Sequence, residues 1–147
     1  MGAILVTGGA GYIGSNTTKL LLKKGYDVVI YDSLELGHRQ VLNYLPGAKF
    51  VQGDIGDGEL IARTIKENQI DSVIHFAAYA SVPDSVTDPV KYYQNNIVKT
   101  LSLLDALNSQ GVKHILFSSS AATFGETKYV PIDEQHPQFP TNPYGQT

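Results

Sequence analysis

Four glycines within eight residues, Thr7-Gly8-Gly9-Ala10-Gly11-Tyr12-Ile13-Gly14, constrain this 147-residue chain more than any other feature. They follow a short apolar run, Ala3–Val6, and open a stretch from Tyr12 to Lys24 in which Ile13, Leu20, Leu21 and Leu22 alternate with lysines. A continuous apolar run followed by a longer periodic one predicts a buried strand and then a helix, stopped at Gly25. The glycines read as Gly8-x-x-Gly11-x-x-Gly14 and, from Gly9, as G-x-G-x-x-G. A tight strand-to-helix turn needs positive φ, which glycine adopts without strain. Missing Cβ atoms let backbone approach a pyrophosphate, and the unpaired amides at a helix start bind an anion. An ordinary turn in an α/β domain is the competing reading of the glycines alone. The flanking elements, and Asp32 at the end of a second apolar run 18 residues beyond Gly14, decide against it. A carboxylate there accepts hydrogen bonds from ribose hydroxyls and repels a 2′-phosphate, so NAD is expected rather than NADP. Arg39 could offer charge to such a phosphate, but its exposed segment favours a solvated role.

The rest of the chain continues the alternation. Strands are expected at Asp27–Tyr31, Lys49–Gln52, Ser72–Phe76 and His114–Phe117. Asp57 caps a helix over Glu59–Asn68, with Leu60, Ile61 and Ile65 on its apolar face. Asp88-Pro89 starts another, whose face is read as Val90, Tyr93, Ile97, Leu101, Leu104 and Leu107, ending at Gly111. Pro131, Pro137 and Pro140 mark a long irregular loop, and Asn142-Pro143 starts a further helix. The fold class is therefore α/β, a doubly wound parallel sheet of Rossmann type with strand order 3-2-1-4-5. Its ligand crevice lies at the carboxyl ends of strands 1 and 4.

Composition removes other classes. There is no cysteine, so disulfides, thiolate metal sites and cysteine nucleophiles are excluded. The formal net charge of −3 argues against a nucleic-acid face. No apolar run reaches the length of a membrane span, and no signal peptide is read at the N-terminus, so a cytoplasmic protein is expected. His38, His114 and His136 have no metal-ligand spacing, so no metal is expected. His75, inside an apolar strand, reads as a satisfied core histidine.

Several polar residues fall at the expected crevice. Small residues at Ala77 and Ala78 suit either a flat cofactor or packing beneath a helix. Asn95-Asn96 reads either as a polar contact near the cofactor or as a solvated amide. Ser118, Ser119 and Ser120 follow strand 5 without a G-x-S-x-G elbow, so hydrogen bonding to a substrate oxygen is the expected use. Tyr144 starts the last helix. A phenol titrates near pH 10, so service as a base near neutrality asks for about 4 kcal/mol of charge stabilisation. A nicotinium ring and a lysine one turn on would provide it, the lysine at position 148, past Thr147. From the residues alone, a structural tyrosine is the commoner reading.

The motifs together resemble the extended short-chain dehydrogenase/reductases, and within them the 4-epimerases of UDP-glucose and UDP-galactose. The segments concerned are TGGAGYIGS (Thr7–Ser15), GDI (Gly53–Ile55), VIHFAA (Val73–Ala78), YYQNN (Tyr92–Asn96), FSSSAATFG (Phe117–Gly125) and NPYGQT (Asn142–Thr147). The resemblance implies a pyrophosphate loop of Gly8, Gly11, Tyr12, Ile13 and Gly14, with ribose contacts at Asp32 and Ser33. It implies an adenine pocket at Asp54 and Ile55, a run beneath pyrophosphate and nicotinamide ribose at Phe76, Ala77 and Ala78, and a cofactor-side amide at Asn95. Ser120 resembles the substrate-orienting hydroxyl and Tyr144 the base of a Tyr-x-x-x-Lys pair. Ala80 stands where bacterial epimerases often carry a cofactor-contacting lysine. Ser120-Ala121-Ala122-Thr123 lacks the carboxylate that related dehydratases carry there, which disfavours dehydration.

The implied activity is interconversion of UDP-glucose and UDP-galactose by transient oxidation at C4, with a UDP-sugar substrate, NAD as cofactor and a homodimeric parent. Residues 1–147 are expected to be an incomplete NAD-binding domain, ending before the last strands and the sugar-nucleotide domain. Alone they are expected to lack epimerase activity and to associate through the open edge of strand 5. The alternatives are a non-catalytic NAD-binding module, or another sugar-nucleotide enzyme such as a decarboxylase or uronate epimerase.

Overall fold

Five parallel strands in the order β3-β2-β1-β4-β5 carry the fold in a computed structural model that describes residues 2–147. The strands are β1 (Ala3–Thr7), β2 (Val28–Asp32), β3 (Lys49–Gln52), β4 (Ile70–His75) and β5 (His114–Phe117). β1 lies at the centre, with Leu5 opposite Val29 on one side and Val73 on the other. Both β1 and β2 are covered on their two faces, which is why neither shows polar–apolar alternation. β5 pairs only with β4, and Leu116 and Phe117 are more than half exposed along that edge.

The chain forms two compact units. The first comprises the described residues up to Ala77 together with Lys99–Ser118; the second comprises Ala78–Val98 and Ser119–Thr147. In the first unit, helices α2 (Gly58–Asn68) and α5 (Thr100–Ser109) lie together. Their Ile61, Ile65, Leu103 and Leu107 join Leu5, Val29, Tyr31 and Val73 of the sheet in one core. Burying each such side chain contributes roughly 1.5–3 kcal/mol. Asp57 caps α2 through its carboxylate on the Leu60 amide, as the sequence implies.

Helix α1 (Tyr12–Lys23) departs from expectation. Its Ile13 and Leu20 face solvent, while Gly14, Ser15 and Thr18 are buried. Small residues let α1 sit close against β1 and β2, so close packing rather than apolar character chooses the inward face. Gly25 follows at φ +84°.

The helix expected from Pro89 is three segments: α4 (Pro89–Tyr92), a π-helical stretch (Tyr93–Lys99) and α5. Of the expected inward stripe, Leu107 is buried, and the rest is out of phase. Val90 and Leu101 are 66% and 59% exposed, and the buried line runs Tyr92, Asn96, Leu103, Ala106 and Leu107. Both faces carry apolar residues, so periodicity alone selects the wrong one here; the wide π turn further shifts the phase. The short helix α3 (Val82–Thr87) and a 3₁₀ segment over Arg39–Tyr44 were not foreseen. α3 begins at Ser81, whose hydroxyl accepts from the Asp84 amide. A 3₁₀ turn (Ala121–Phe124) and α6 (Pro143–Gln146) complete the second unit.

Candidate functional site

The glycine loop of the first unit is built by close approach. Gly8 sits at φ +69°, and its amide donates to the Tyr31 carbonyl at 2.9 Å. A Cβ on Gly8 would stand 2.8 Å from the backbone of Phe76 and Ala77, and one on Gly14 would fall onto the Gly8 carbonyl oxygen. Gly8 therefore brings the loop against the end of β4, and Gly14 brings the helix start against the loop. No side chain caps α1 at Gly11. Tyr12, 86% exposed, and Ile13 leave the first turn open to solvent, so its amides are available to an anion. Phe76 and Ala77, half-buried, line the end of β4.

Asp32 is buried, and its carboxylate is already structural. Oδ2 accepts from the Ala10 amide at 2.9 Å and Oδ1 from the Leu34 amide at 2.8 Å. It thus ties the end of β2 to the glycine loop, while each oxygen keeps a further lone pair. Leu34 adopts φ +64° in the tight turn that follows, and Gly37 packs so close that a Cβ would lie 2.6 Å from Asp32 Oδ1. Ser33 is exposed, and its hydroxyl accepts from the Glu35 amide. Arg39 reaches Gln52 and lies over the Phe50 ring at 5.4 Å, in an exposed position.

The end of β3 is fixed in the same way. Tyr31 donates its hydroxyl proton to the Asp54 carbonyl at 2.9 Å, and burial, then the charges of Asp57 and Asp54, push the phenol far above its ordinary range. Asp54 Oδ1 accepts from the Gly56 amide at 2.7 Å, its Oδ2 pairs with Lys99, and Ile55 is buried beside it. His75 is the core histidine the sequence suggests, 2% exposed, with Nδ1 2.6 Å from the Thr7 hydroxyl and Nε2 3.3 Å from that of Thr100. Burial pushes its pKa down to about 4, which makes it a neutral strut behind the loop rather than a proton carrier.

In the second unit, Ser120 and Tyr144 stand on neighbouring pieces of backbone. Ser120 starts the 3₁₀ turn, its Oγ accepting from the Ala122 amide at 3.2 Å and so keeping its proton free to donate. Asn142 caps α6 by accepting from the Gly145 amide at 2.8 Å. Gly145 packs against that turn so tightly that a Cβ would lie 2.5 Å from the Ala122 carbonyl oxygen. The Tyr144 ring stands edge-on to Tyr92, centroids 6.3 Å apart, and its hydroxyl makes no hydrogen bond among the described residues. Asn95 donates to the side chain of its neighbour. Asn96 is the buried clamp: it accepts from the Tyr79 amide and donates to the Tyr79 carbonyl and to Thr147 Oγ1. Ala78 is exposed beside Tyr79.

Three contributors escaped sequence reasoning. Gly145 and Gly125 permit close approaches that no local spacing marks. His136, 4% exposed, accepts from the Lys128 amide at Nε2 and packs on Tyr129 and Phe124. No group of three metal-ligating side chains gathers among the described residues, and no helix there is long and apolar enough to cross a membrane.

A glycine-built anion cradle at a helix start, beside an acid at the next strand end, defines a dinucleotide-type site on a doubly wound sheet. The chain belongs to the family described as GDP-mannose 4,6 dehydratase, which it matches over residues 5–147. It is 51% identical over 144 residues to a UDP-glucose 4-epimerase of Lacticaseibacillus casei, covering 98% of this chain and 43% of that relative. The UDP-glucose 4-epimerase of Brucella ovis, solved in complex with NAD, superposes with a TM-score of 0.94 at 46% identity, over 99% of this chain and 44% of that one. A UDP-glucose 4-epimerase of Stenotrophomonas maltophila, solved with NAD and formylated UDP-arabinopyranose, superposes with a TM-score of 0.96 at 38% identity, over 99% and 45%. The chain thus spans less than half the length of these relatives.

Proposed function

We propose that this chain supplies the NAD-binding part of an enzyme that interconverts UDP-glucose and UDP-galactose at C4. The observation that carries the reading is the glycine loop: Gly8 and Gly14 allow backbone approaches that a Cβ would block, and the uncapped first turn of α1 leaves amides open to a diphosphate. The residues present fit the cofactor. Tyr12 and Ile13 contribute first-turn amides, Asp32 and Ser33 take the ribose, Asp54 and Ile55 take the adenine, and Phe76 and Ala77 floor the site. Ala78 and Asn95 are assigned to the nicotinamide end. When bound, NAD supplies the hydride acceptor and donor for C4. Tyr144 takes the proton of the 4-hydroxyl, and Ser120 donates a hydrogen bond that orients the same oxygen.

Residues 121–123 carry no carboxylate, which favours epimerisation over dehydration. Likeness to a neighbour holding a UDP-arabinopyranose derivative supports a second reading, 4-epimerisation of a UDP-pentose. The full-length enzyme is read as a cytoplasmic homodimer. The test is conversion of UDP-galactose to UDP-glucose by the full-length gene product without added NAD. Tyr144→Phe should remove at least 100-fold of the rate, in line with the worth of a general base. A product that binds NAD yet converts neither hexose nor pentose overturns the proposal.

A further inference from the structure

On a doubly wound sheet the dinucleotide lies across the carboxyl ends of the strands. With the ribose at the end of β2, the base extends towards the neighbouring end of β3, where Gly53–Ile55 stand. Asp54 there is not a lone acceptor. Lys99 Nζ pairs with its Oδ2 at 2.5 Å, and the lysine stem runs along Gly56, where a Cβ would lie 3.1 Å from Lys99 Cγ. The Asp54 backbone is held by Tyr31 and its Oδ1 by the Gly56 amide, so the carboxylate has a fixed orientation. The two side chains remain 34% and 42% exposed, within reach of a ligand, and an ion pair that exposed is worth little to stability.

The pair offers two opposite hydrogen-bonding characters at one place. A carboxylate oxygen accepts from a 6-amino group. An ammonium has three N–H bonds, and those not engaged by Asp54 can donate to a 6-oxo group. We propose that Lys99 is a specificity-determining residue that lets the base end of the dinucleotide site accept 6-oxopurines as well as adenine. The inference rests on the NAD-binding reading above and assigns it a base preference.

The experiment titrates NAD and nicotinamide hypoxanthine dinucleotide, its 6-oxo analogue, into the cofactor-stripped full-length gene product and its Lys99 and Asp54 variants. For the unaltered chain the two dissociation constants should lie within about threefold of each other. In Lys99→Met the ratio of hypoxanthine to adenine constants should rise about tenfold, the worth of one charge-assisted hydrogen bond. Lys99→Arg should restore the ratio, and Asp54→Asn should move it the other way, which a merely structural pair would not do. NAD binding with a ratio that Lys99→Met leaves unmoved overturns the assignment of Lys99 alone. Failure of either dinucleotide to bind the unaltered chain overturns the underlying site as well.

Discussion

The two units are held together by different physics. The first is a sheet with apolar side chains packed from α2 and α5, and its key polar groups are few and deeply placed. The second has no strand; its segments are fastened by side chains reaching backbone. Tyr92 bonds both ways to Ser81, Asn96 to Tyr79, His136 to Lys128, and Asn142 to Gly145. Apolar burial is non-directional and spread over many contacts, whereas a hydrogen-bonded clamp is local and lost whole when one partner goes. Damage to the first unit should therefore register as global stability, and damage to the second as local opening.

The largest effect should come from Gly14→Val, which drives a branched side chain onto the Gly8 carbonyl. A loss of about 4 kcal/mol or more in denaturant unfolding is expected, together with loss of NAD binding by calorimetry. Gly25→Ala, where nothing stands within 4 Å, should cost only about 1 kcal/mol, the backbone cost of positive φ. Equal losses at the two positions would refute the close-approach account of the loop.

His75 gives the first unit a pH signature. Its folded pKa of about 4 lies below the ordinary 6.5, so the unfolded chain binds the proton first. Stability is fully present above pH 6.5, falls by about 3 kcal/mol as pH drops to 4, and loses nothing further from this group below that. Subtracting the unfolding curve of His75→Asn from that of the unaltered chain isolates the term. A difference flat from pH 7 to pH 4 would show that the imidazole is not buried.

Asn96→Ala tests the other side of the comparison. Two backbone groups of Tyr79 lose their partner, a cost of about 2 kcal/mol. By hydrogen exchange, the Tyr79 amide should open at least tenfold faster while Val29 and Ile30 keep their protection. Loss of protection in both units together would mean that they unfold as one.

The same contrast explains what was legible beforehand. The five strands followed from apolar runs, their order from the alternation of strands with helices, and the cap at Asp57 from its side-chain chemistry. The inward face of α1 was missed because Gly14, Ser15 and Thr18 pack by being small, and that of α5 because a π segment precedes it and both faces carry apolar residues. In the site, Asp32 and the glycines could be read from spacing. The clamps at Asn96 and His136 and the approach of Gly145 to Ala122 could not, since each joins residues distant in sequence through one or two directional contacts.

The smallest effect sharpens the comparison most, because it applies one chemistry to both units. Asp57 and Asn142 are both N-caps, each accepting from the amide three residues on. Replacing either with alanine removes about 1 kcal/mol of local stabilisation. α2 is an 11-residue helix whose Ile61 and Ile65 belong to the core, so its cap loss should appear in the global unfolding free energy. α6 has four residues, too few to be helical without its surroundings, so Asn142→Ala should appear chiefly as faster exchange at Gly145 and Gln146. Should Asn142→Ala lower the denaturation midpoint as much as Asp57→Ala does, the second unit is coupled to the sheet as tightly as α2 is, and the division between global and local failure dissolves.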